Sequence, residues 1–151
     1  MPAVKSPYRM NVADVPPFKV APPSQEKPSE IDVRMVYGTC LTLNLAAEAE
    51  GTGAAVLIRA LQPLEGLALM QRNCPRVRPA NLARGPGRLC AALGIGRELS
   101  GVDLGSSDEL WLERGGPRAH VQVSTRIGLS RDQHRRLRFL ERGSPFVSVR
   151  P

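Results

Sequence analysis

The sequence predicts an α+β fold, built mainly from an antiparallel β-sheet with a few short helices. Three observations lead to this class. Apolar and polar residues alternate over several short stretches, as in half-buried strands, whereas helical spacing occurs only twice and briefly. The 14 prolines and 14 glycines separate these stretches closely. A length of 151 residues suits one core rather than two.

Composition divides the chain near residue 35. Seven of the 14 prolines lie in the first thirty residues, which show no regular period, so residues 1–35 are predicted to form a disordered proline-rich arm and residues 36–151 the folded domain. Residues 1–36 carry five basic and four acidic groups, a net charge of +1, which leaves +6 of the total of +7 for the rest. A surface for a polyanion is therefore expected in the C-terminal part.

Arginine dominates the basic residues, at 18 of 21. Its planar fork suits phosphate better than an ammonium does, which favours a nucleic-acid partner. A GC-rich gene, which enriches arginine, proline, glycine and alanine together, is the alternative explanation of the arginine excess.

The first regular element is predicted to be a strand that begins near Val36, since Leu41, Leu43 and Leu45 alternate with more polar residues. Residues 50–53 read as a reversal, and residues 54–60 as a second strand of an antiparallel hairpin. Whether Arg59 at the end of that strand shares a face with Asn44 depends on the register, which the sequence leaves open.

Two helices are predicted. The first begins at Pro63, with Leu64, Leu67 and Met70 on one side, although Gly66 weakens it. The second spans residues 86–93, between a proline start and Gly94 as the C-terminal cap. The remaining elements are strands separated by Gly-Gly-Pro and Gly-Ser-Pro turns, at residues 109–113, 121–127, 137–141 and 146–149.

Several classes of protein are disfavoured. The three cysteines form no Cys-x-x-Cys pair and the two histidines lack the spacing of zinc ligands, so neither a metal site nor a disulfide framework is expected, and no cofactor is implied. No apolar run approaches the roughly 18 residues of a membrane span. A reducing intracellular compartment is the expected location.

Six segments, in this order, resemble the alkyladenine (3-methyladenine) DNA glycosylase family. They are Val36-Tyr37-Gly38 leading to Leu43-Asn44; the string from Val56 to Gly66, which includes Arg-Ala-Leu-x-Pro-Leu-Glu-Gly; Gly85 to Ile95; Leu110 to Gly115; Arg126-Ile127-Gly128; and Leu137-Arg138-Phe139 running into Arg142 to Ser148. The resemblance covers residues 36–151 and corresponds to the later part of the family's domain, so it implies a partial domain that is incomplete at its N-terminal side. It implies a nuclear base-excision repair enzyme that acts as a monomer on double-stranded DNA containing damaged purines, without a cofactor.

The resemblance also implies roles for single residues. Such an enzyme extrudes the damaged nucleotide into a pocket before it cuts the bond between base and sugar. Tyr37 matches the ring that wedges into the DNA helix in place of the extruded nucleotide. The alternative is that Tyr37 is an ordinary aromatic residue of a strand. Asn44 matches a pocket residue against the flipped base, with turn chemistry as the alternative. Arg59 matches the arginine beside the attacking water, and is otherwise a strand-edge arginine in solvent.

Further matches concern the DNA backbone and the water. Gly87 and Arg88 lie at a helix N-terminus that the resemblance assigns to a phosphate. Three more arginines are candidates for contact with the DNA backbone, although solvated surface charge explains them equally well. They are Arg126, Arg138 and Arg142. Val147 matches a position whose main-chain carbonyl helps to hold the catalytic water.

The chain departs from the family at the catalytic carboxylate. The general base of the family is a glutamate in a Glu-x-Glu-Ala-Tyr type of motif upstream of the wedge, followed by an Asp-x-Ala-x-His type of segment, and neither motif is present. Arg34 replaces an aromatic residue that flanks the extruded base, and Thr39 and Cys40 replace bulkier groups after the wedge. An alternative exon, a mis-joined gene model or a decayed paralogue would each produce such a beginning.

The expected function is therefore hydrolysis of the N-glycosidic bond of alkylated or deaminated purines, impaired in this chain because the glutamate segment is absent. The alternatives are a DNA-binding remnant without turnover and an unstable fragment with uncovered sheet edges.

Overall fold

The computed structural model describes residues 10–11, 30–48, 53–113 and 120–147. Its largest sheet has three antiparallel strands in the order β2-β3-β4, namely β2 (Ile31–Val36), β3 (Cys40–Ala46) and β4 (Ala55–Leu57). Two smaller sheets pair β1 (Met10–Asn11) in parallel with β5 (Leu112–Glu113), and β6 (Val121–Ser124) antiparallel with β7 (Arg138–Glu141). With two α-helices, α1 (Leu67–Asn73) and α2 (Pro86–Leu93), the α+β class is confirmed.

The alternating leucines of β3 do face the core, as predicted. Leu43 and Leu45 are buried, and on β2 their cross-strand partners Val33 and Ile31 are buried too. The antiparallel pairing of β3 with β4 confirms the predicted hairpin, although β4 is shorter than residues 54–60. Most of its predicted reversal, residues 50–52 of 50–53, lies outside the described residues.

Regular structure begins before the predicted start near Val36. Five of the six residues of β2 precede it, because Ile31 and Val33 alternate with Asp32 and Arg34 and so extend the two-residue period toward the N-terminus. The outer edge of β2 is also paired: Ile31 N–H donates to the Val102 carbonyl at 3.0 Å, and Gly101 N–H to the Ile31 carbonyl at 2.8 Å. The rest of the predicted disordered arm, apart from β1 and Glu30, lies outside the described residues.

Helix α1 begins four residues later than predicted. Its first residue is Leu67 rather than Pro63, and Gly66 precedes it in a left-handed conformation (φ +71°) that favours glycine. The expected apolar face is wrong in part, since Met70 is buried whereas Leu64 and Leu67 are exposed. Burial of the helix depends on its packing against α2, which the local spacing of leucines does not reveal.

Helix α2 has the predicted bounds and caps. Pro86 occupies its first position, and Gly94 ends it in the left-handed region (φ +67°) while its N–H donates to the Ala91 carbonyl. Leu89, Cys90, Ala92 and Leu93 are buried, and the helix packs against β3. A single hydrophobic cluster thus joins the sheet to both helices.

The C-terminal strands are shorter than predicted. Strand β7 matches residues 137–141 closely, whereas β6 stops at Ser124 and β5 holds only two residues of the predicted 109–113. Around residue 109 the chain turns instead, because Ser107 Oγ accepts hydrogen bonds from the N–H groups of Glu109 and Leu110. Residues 146–147 are not in a strand, and 148–149 lie outside the described residues.

Candidate nucleic-acid interface

Tyr37 projects from the tight turn between β2 and β3. Its side chain is 87% exposed, more than that of any other large hydrophobic residue among those described. Tyr37 and Gly38 both have positive φ values, +55° and +67°, and Thr39 N–H closes the turn on the Val36 carbonyl at 3.3 Å. A tyrosine in the left-handed region is strained, and such strain clusters at functional surfaces.

The polar residues of the central sheet form one surface behind this turn, here called the polar face and defined as Asp32, Arg34, Thr42 and Asn44. The register pairs Asp32 with Asn44 and Arg34 with Thr42, so all four lie on the side opposite the buried leucines. Asn44 Nδ2 donates to the Asp32 carbonyl at 3.1 Å, and Thr42 Oγ1 donates to the Arg34 carbonyl at 3.2 Å. These bonds fix the two side chains on the face.

The register of β3 and β4 also determines on which side of the sheet Arg59 lies. Asn44 pairs with Leu57, and the ladder continues one step further, since Ile58 N–H donates to the Leu43 carbonyl at 3.0 Å. Because side chains alternate and Ile58 is buried in the core, Arg59 emerges on the same side as Leu57 and Asn44. The structure therefore brings Arg59 and Asn44 to one face.

Arg59 is held in a cationic environment. Its Nε is shut off from solvent and has no hydrogen-bond partner among the described residues. Burial lowers the pKa of Arg59, the charges of Arg138 and then Arg126 lower it further, and Tyr37 raises it. Arg59 thus lies within electrostatic range of Tyr37 in the turn and of Arg126 and Arg138 in the C-terminal part.

The N-terminus of α2 lies against the same turn. A Cβ on Gly87 would stand 3.0 Å from Cys40 Cβ and 3.2 Å from its Sγ, so only glycine fits there without displacement. The first hydrogen bond of the helix runs from Leu89 N–H to the Gly85 carbonyl at 2.9 Å, and the N–H groups of Gly87 and Arg88 precede it. Arg88 is exposed beside them. Helix amides and a cation therefore flank the Tyr37 turn.

The three C-terminal arginines differ in exposure. Arg142 is exposed and Arg126 is half-buried, whereas Arg138 is only 8% exposed, with Nη1 3.4 Å from Ser124 Oγ. The charge of Arg142 is therefore accessible from solvent. Arg138 acts on its neighbours from within the fold, which is a different position from the surface contact expected of it.

The main-chain carbonyl of Val147 is held by Arg84, a residue that the sequence did not single out. This carbonyl accepts a hydrogen bond from Arg84 Nε at 2.9 Å, and Arg84 is bridged through its main chain to Ala60, the neighbour of Arg59. Arg84 thus links two segments that carry predicted site residues. The only signal for it in the sequence is its place directly before the Gly85-Pro86-Gly87 turn.

Other kinds of site find no support in the described part of the chain. No three histidine, cysteine, aspartate or glutamate side chains there are grouped as metal ligands. All three cysteines are free; burial raises the pKa of Cys90 to about 11, against a smaller lowering by the Leu43 backbone. None of the helices in these ranges has the length and apolarity that crossing a bilayer requires.

Comparison with known proteins gives a consistent result. The sequence profile of a family described as methylpurine-DNA glycosylase matches residues 24–145. Among curated relatives, a putative 3-methyladenine DNA glycosylase of Paraburkholderia phytofirmans is 51% identical over 80% of this chain and 57% of its own length. That of Mesorhizobium japonicum is 49% identical over 77% and 56%.

A mammalian relative is also similar. The DNA-3-methyladenine glycosylase of Homo sapiens is 36% identical over 82% of this chain and 46% of its own length. The chain therefore spans about half the length of the curated relatives that it matches.

Proposed function

Since the chain belongs to the methylpurine-DNA glycosylase family, we propose that it binds duplex DNA at a damaged purine, extrudes the damaged nucleotide and hydrolyses its N-glycosidic bond. The exposed Tyr37 at the tip of a turn, with the polar face behind it, is the observation that carries the proposal. A flat, stiff ring on a protruding turn is suited to entering a base stack.

Each described group has a role in this proposal. Tyr37 fills the space that the extruded nucleotide leaves, and Asn44, oriented by its bond to the Asp32 carbonyl, lies against the base. Arg59 supplies fixed positive charge beside the sugar–base bond, where it orients a water molecule. The Val147 carbonyl, held by Arg84, accepts a hydrogen bond from that water through its second lone pair.

Contacts with the DNA backbone complete the proposal. The amides of Gly87 and Arg88, with the Arg88 charge, bind a phosphate beside the wedge. Arg126 and Arg142 contribute backbone contacts from the C-terminal part, whereas buried Arg138 contributes its electric field. The protein acts as a monomer, and in a eukaryotic cell its site of action is the nucleus.

Turnover by this chain is proposed to be low. The sequence lacks the acidic motif of the family, and Asp32, the carboxylate of the polar face, is paired with Arg34. General acid–base assistance contributes about 10² to 10⁴-fold to such reactions, so a large part of the rate depends on a group that these residues do not supply. Binding without turnover is therefore the second candidate function.

One experiment separates the two candidates. The purified chain is mixed in excess with duplex containing hypoxanthine or ethenoadenine, and abasic sites are measured by alkaline strand cleavage alongside binding by fluorescence anisotropy. We expect salt-dependent binding with slow abasic-site formation that Arg59→Gln abolishes. Binding with no product even after long incubation supports the second candidate. Rapid product formation contradicts impairment, and absence of binding at low salt contradicts both candidates.

A further inference from the structure

The polar face carries an ion pair at a position close to the proposed base site. Arg34 Nε and Asp32 Oδ2 form this pair, and Arg34 remains 74% exposed. The register places Asp32 directly beside Asn44, and Arg34 beside Thr42, three residues before Tyr37. A guanidinium therefore stands on the same face as the amide that is proposed to contact an extruded base.

Positive charge is in excess around this face. Arg34 and Arg59 emerge from it, and Arg126 and Arg138 lie close enough for their charges to act on Arg59. Asp32 opposes these four cations from the same face. The electrostatic potential beside Asn44, where the base would enter, is therefore positive. Water screens this potential only in part, because Arg59 is partly buried.

The charge of a damaged purine depends on the kind of damage. A methyl group on N7 of guanine or N3 of adenine leaves the base, while still attached to its sugar, with a formal charge of +1. Deamination of adenine to hypoxanthine leaves a neutral base, as does bridging of its nitrogens by an etheno group. A guanidinium plane stacks readily on a neutral base but repels a cationic one.

We propose that Arg34 is a specificity-determining residue that makes the site select uncharged purine lesions over ring-alkylated, cationic ones. The proposal rests on the proposed function, because it needs the base to enter beside Asn44. Asp32 has a positioning role in it, since its bond to Nε restricts the rotation of the guanidinium. One unit charge repelling another across a partly hydrated gap corresponds to roughly 5- to 10-fold in affinity.

The test measures binding, so that slow turnover does not obscure it. Duplexes with 2′-fluoro sugars, which retain the damaged base, carry hypoxanthine, 7-methylguanine or undamaged guanine at one site, and the full chain is titrated with each by fluorescence anisotropy. After correction for undamaged duplex, we expect hypoxanthine to be preferred over 7-methylguanine by roughly 5- to 10-fold. The variant R34Q should reduce that ratio to within about twofold.

Two further variants keep the result interpretable. R88Q removes the same charge from the α2 N-terminus and should weaken binding to all three duplexes while keeping the ratio, whereas R34K keeps the charge and should keep most of the preference. Circular dichroism checks that each variant is folded, which the exposure of Arg34 favours.

The outcomes test the role of Arg34 and the proposed function separately. A preference for 7-methylguanine in the wild-type chain, or an unchanged ratio in folded R34Q, overturns the role of Arg34 and leaves lesion binding intact. Equal affinity for damaged and undamaged duplex overturns the proposed function as well.

Discussion

The Nε–H of Arg84 donates a hydrogen bond to the main-chain carbonyl of Val147 at 2.9 Å, across 63 positions of sequence. The same residue is bridged through its backbone to Ala60. Arg84 therefore ties the C-terminal segment to the end of the strand that carries Arg59.

Replacement of Arg84 by glutamine should destabilise the protein. A hydrogen bond from a charged donor contributes about 1.5–3 kcal/mol, and since Arg84 is half-buried we expect the free energy of unfolding in urea to fall by about 1–2 kcal/mol. Arg72→Gln, at an exposed position of α1, is the matched control and should change it by less than about 0.5 kcal/mol. Equal losses in the two variants would show that the Val147 contact contributes nothing.

Replacement of Tyr37 by glycine should separate binding from stability. Glycine adopts a φ of +55° without strain and the tyrosine ring is 87% exposed, so the melting temperature should stay the same or rise. Loss of the ring should weaken binding to lesion-containing duplex by roughly 5- to 100-fold, the effect of one base–aromatic contact. Leu64→Ala, another exposed apolar residue, should leave binding unchanged. A large drop in melting temperature for Tyr37→Gly would indicate instead that the ring packs on the fold.

Gly87 and Cys40 should be energetically coupled. An alanine at Gly87 gains about 1 kcal/mol of helix propensity, but its Cβ would stand 3.0 Å from Cys40 Cβ, and overpacking costs about 1–3 kcal/mol. We expect a net loss of about 1 kcal/mol for Gly87→Ala in the wild-type chain, and a smaller loss or none when the same substitution is made in a Cys40→Gly background. Gly53→Ala, at a position with no atom within 4 Å of the added Cβ, is the control. Additive effects of the two substitutions would contradict the contact.

Stability should fall in alkali because of Cys90. Burial raises the pKa of this thiol to about 11, above its value of about 9 in an unfolded chain, so the folded state binds the proton more tightly. The contribution is fully present below pH 9 and is lost as the pH rises toward 11. Urea unfolding between pH 8 and 10.5 should show a decline that is shallower in Cys90→Ala than in the wild-type chain, with Cys40→Ala, at an exposed cysteine, like the wild type. Parallel pH profiles for wild type and Cys90→Ala would exclude this explanation.

What the sequence predicted correctly depends on local signals. Helix α2 is bounded by Pro86 and Gly94, each of which acts through its own backbone, and the leucines of β3 need only one buried side. Those features are visible without knowledge of the fold. The α+β class followed from them.

What it missed depends on contacts between distant segments. The side of the sheet on which Arg59 emerges needed the pairing of Asn44 with Leu57, and the role of Arg84 needed Val147 to be near. Strand β2 was overlooked because a proline-rich stretch precedes it, although its outer edge is paired with Val102. The burial of Arg138 likewise depends on tertiary packing that an isolated strand pattern does not reveal.

The left-handed turn that carries Tyr37 is closed by main-chain atoms alone, from Thr39 to Val36. Nothing in its geometry asks for an aromatic ring, and the hydrophobic interior gains nothing from one. Mutation at this single codon can therefore exchange one exposed side chain for another with little penalty in folding, as long as the new residue tolerates a positive φ. If Tyr37 contacts DNA as proposed, the nucleic-acid target can diverge between descendants of one gene while their scaffold stays the same.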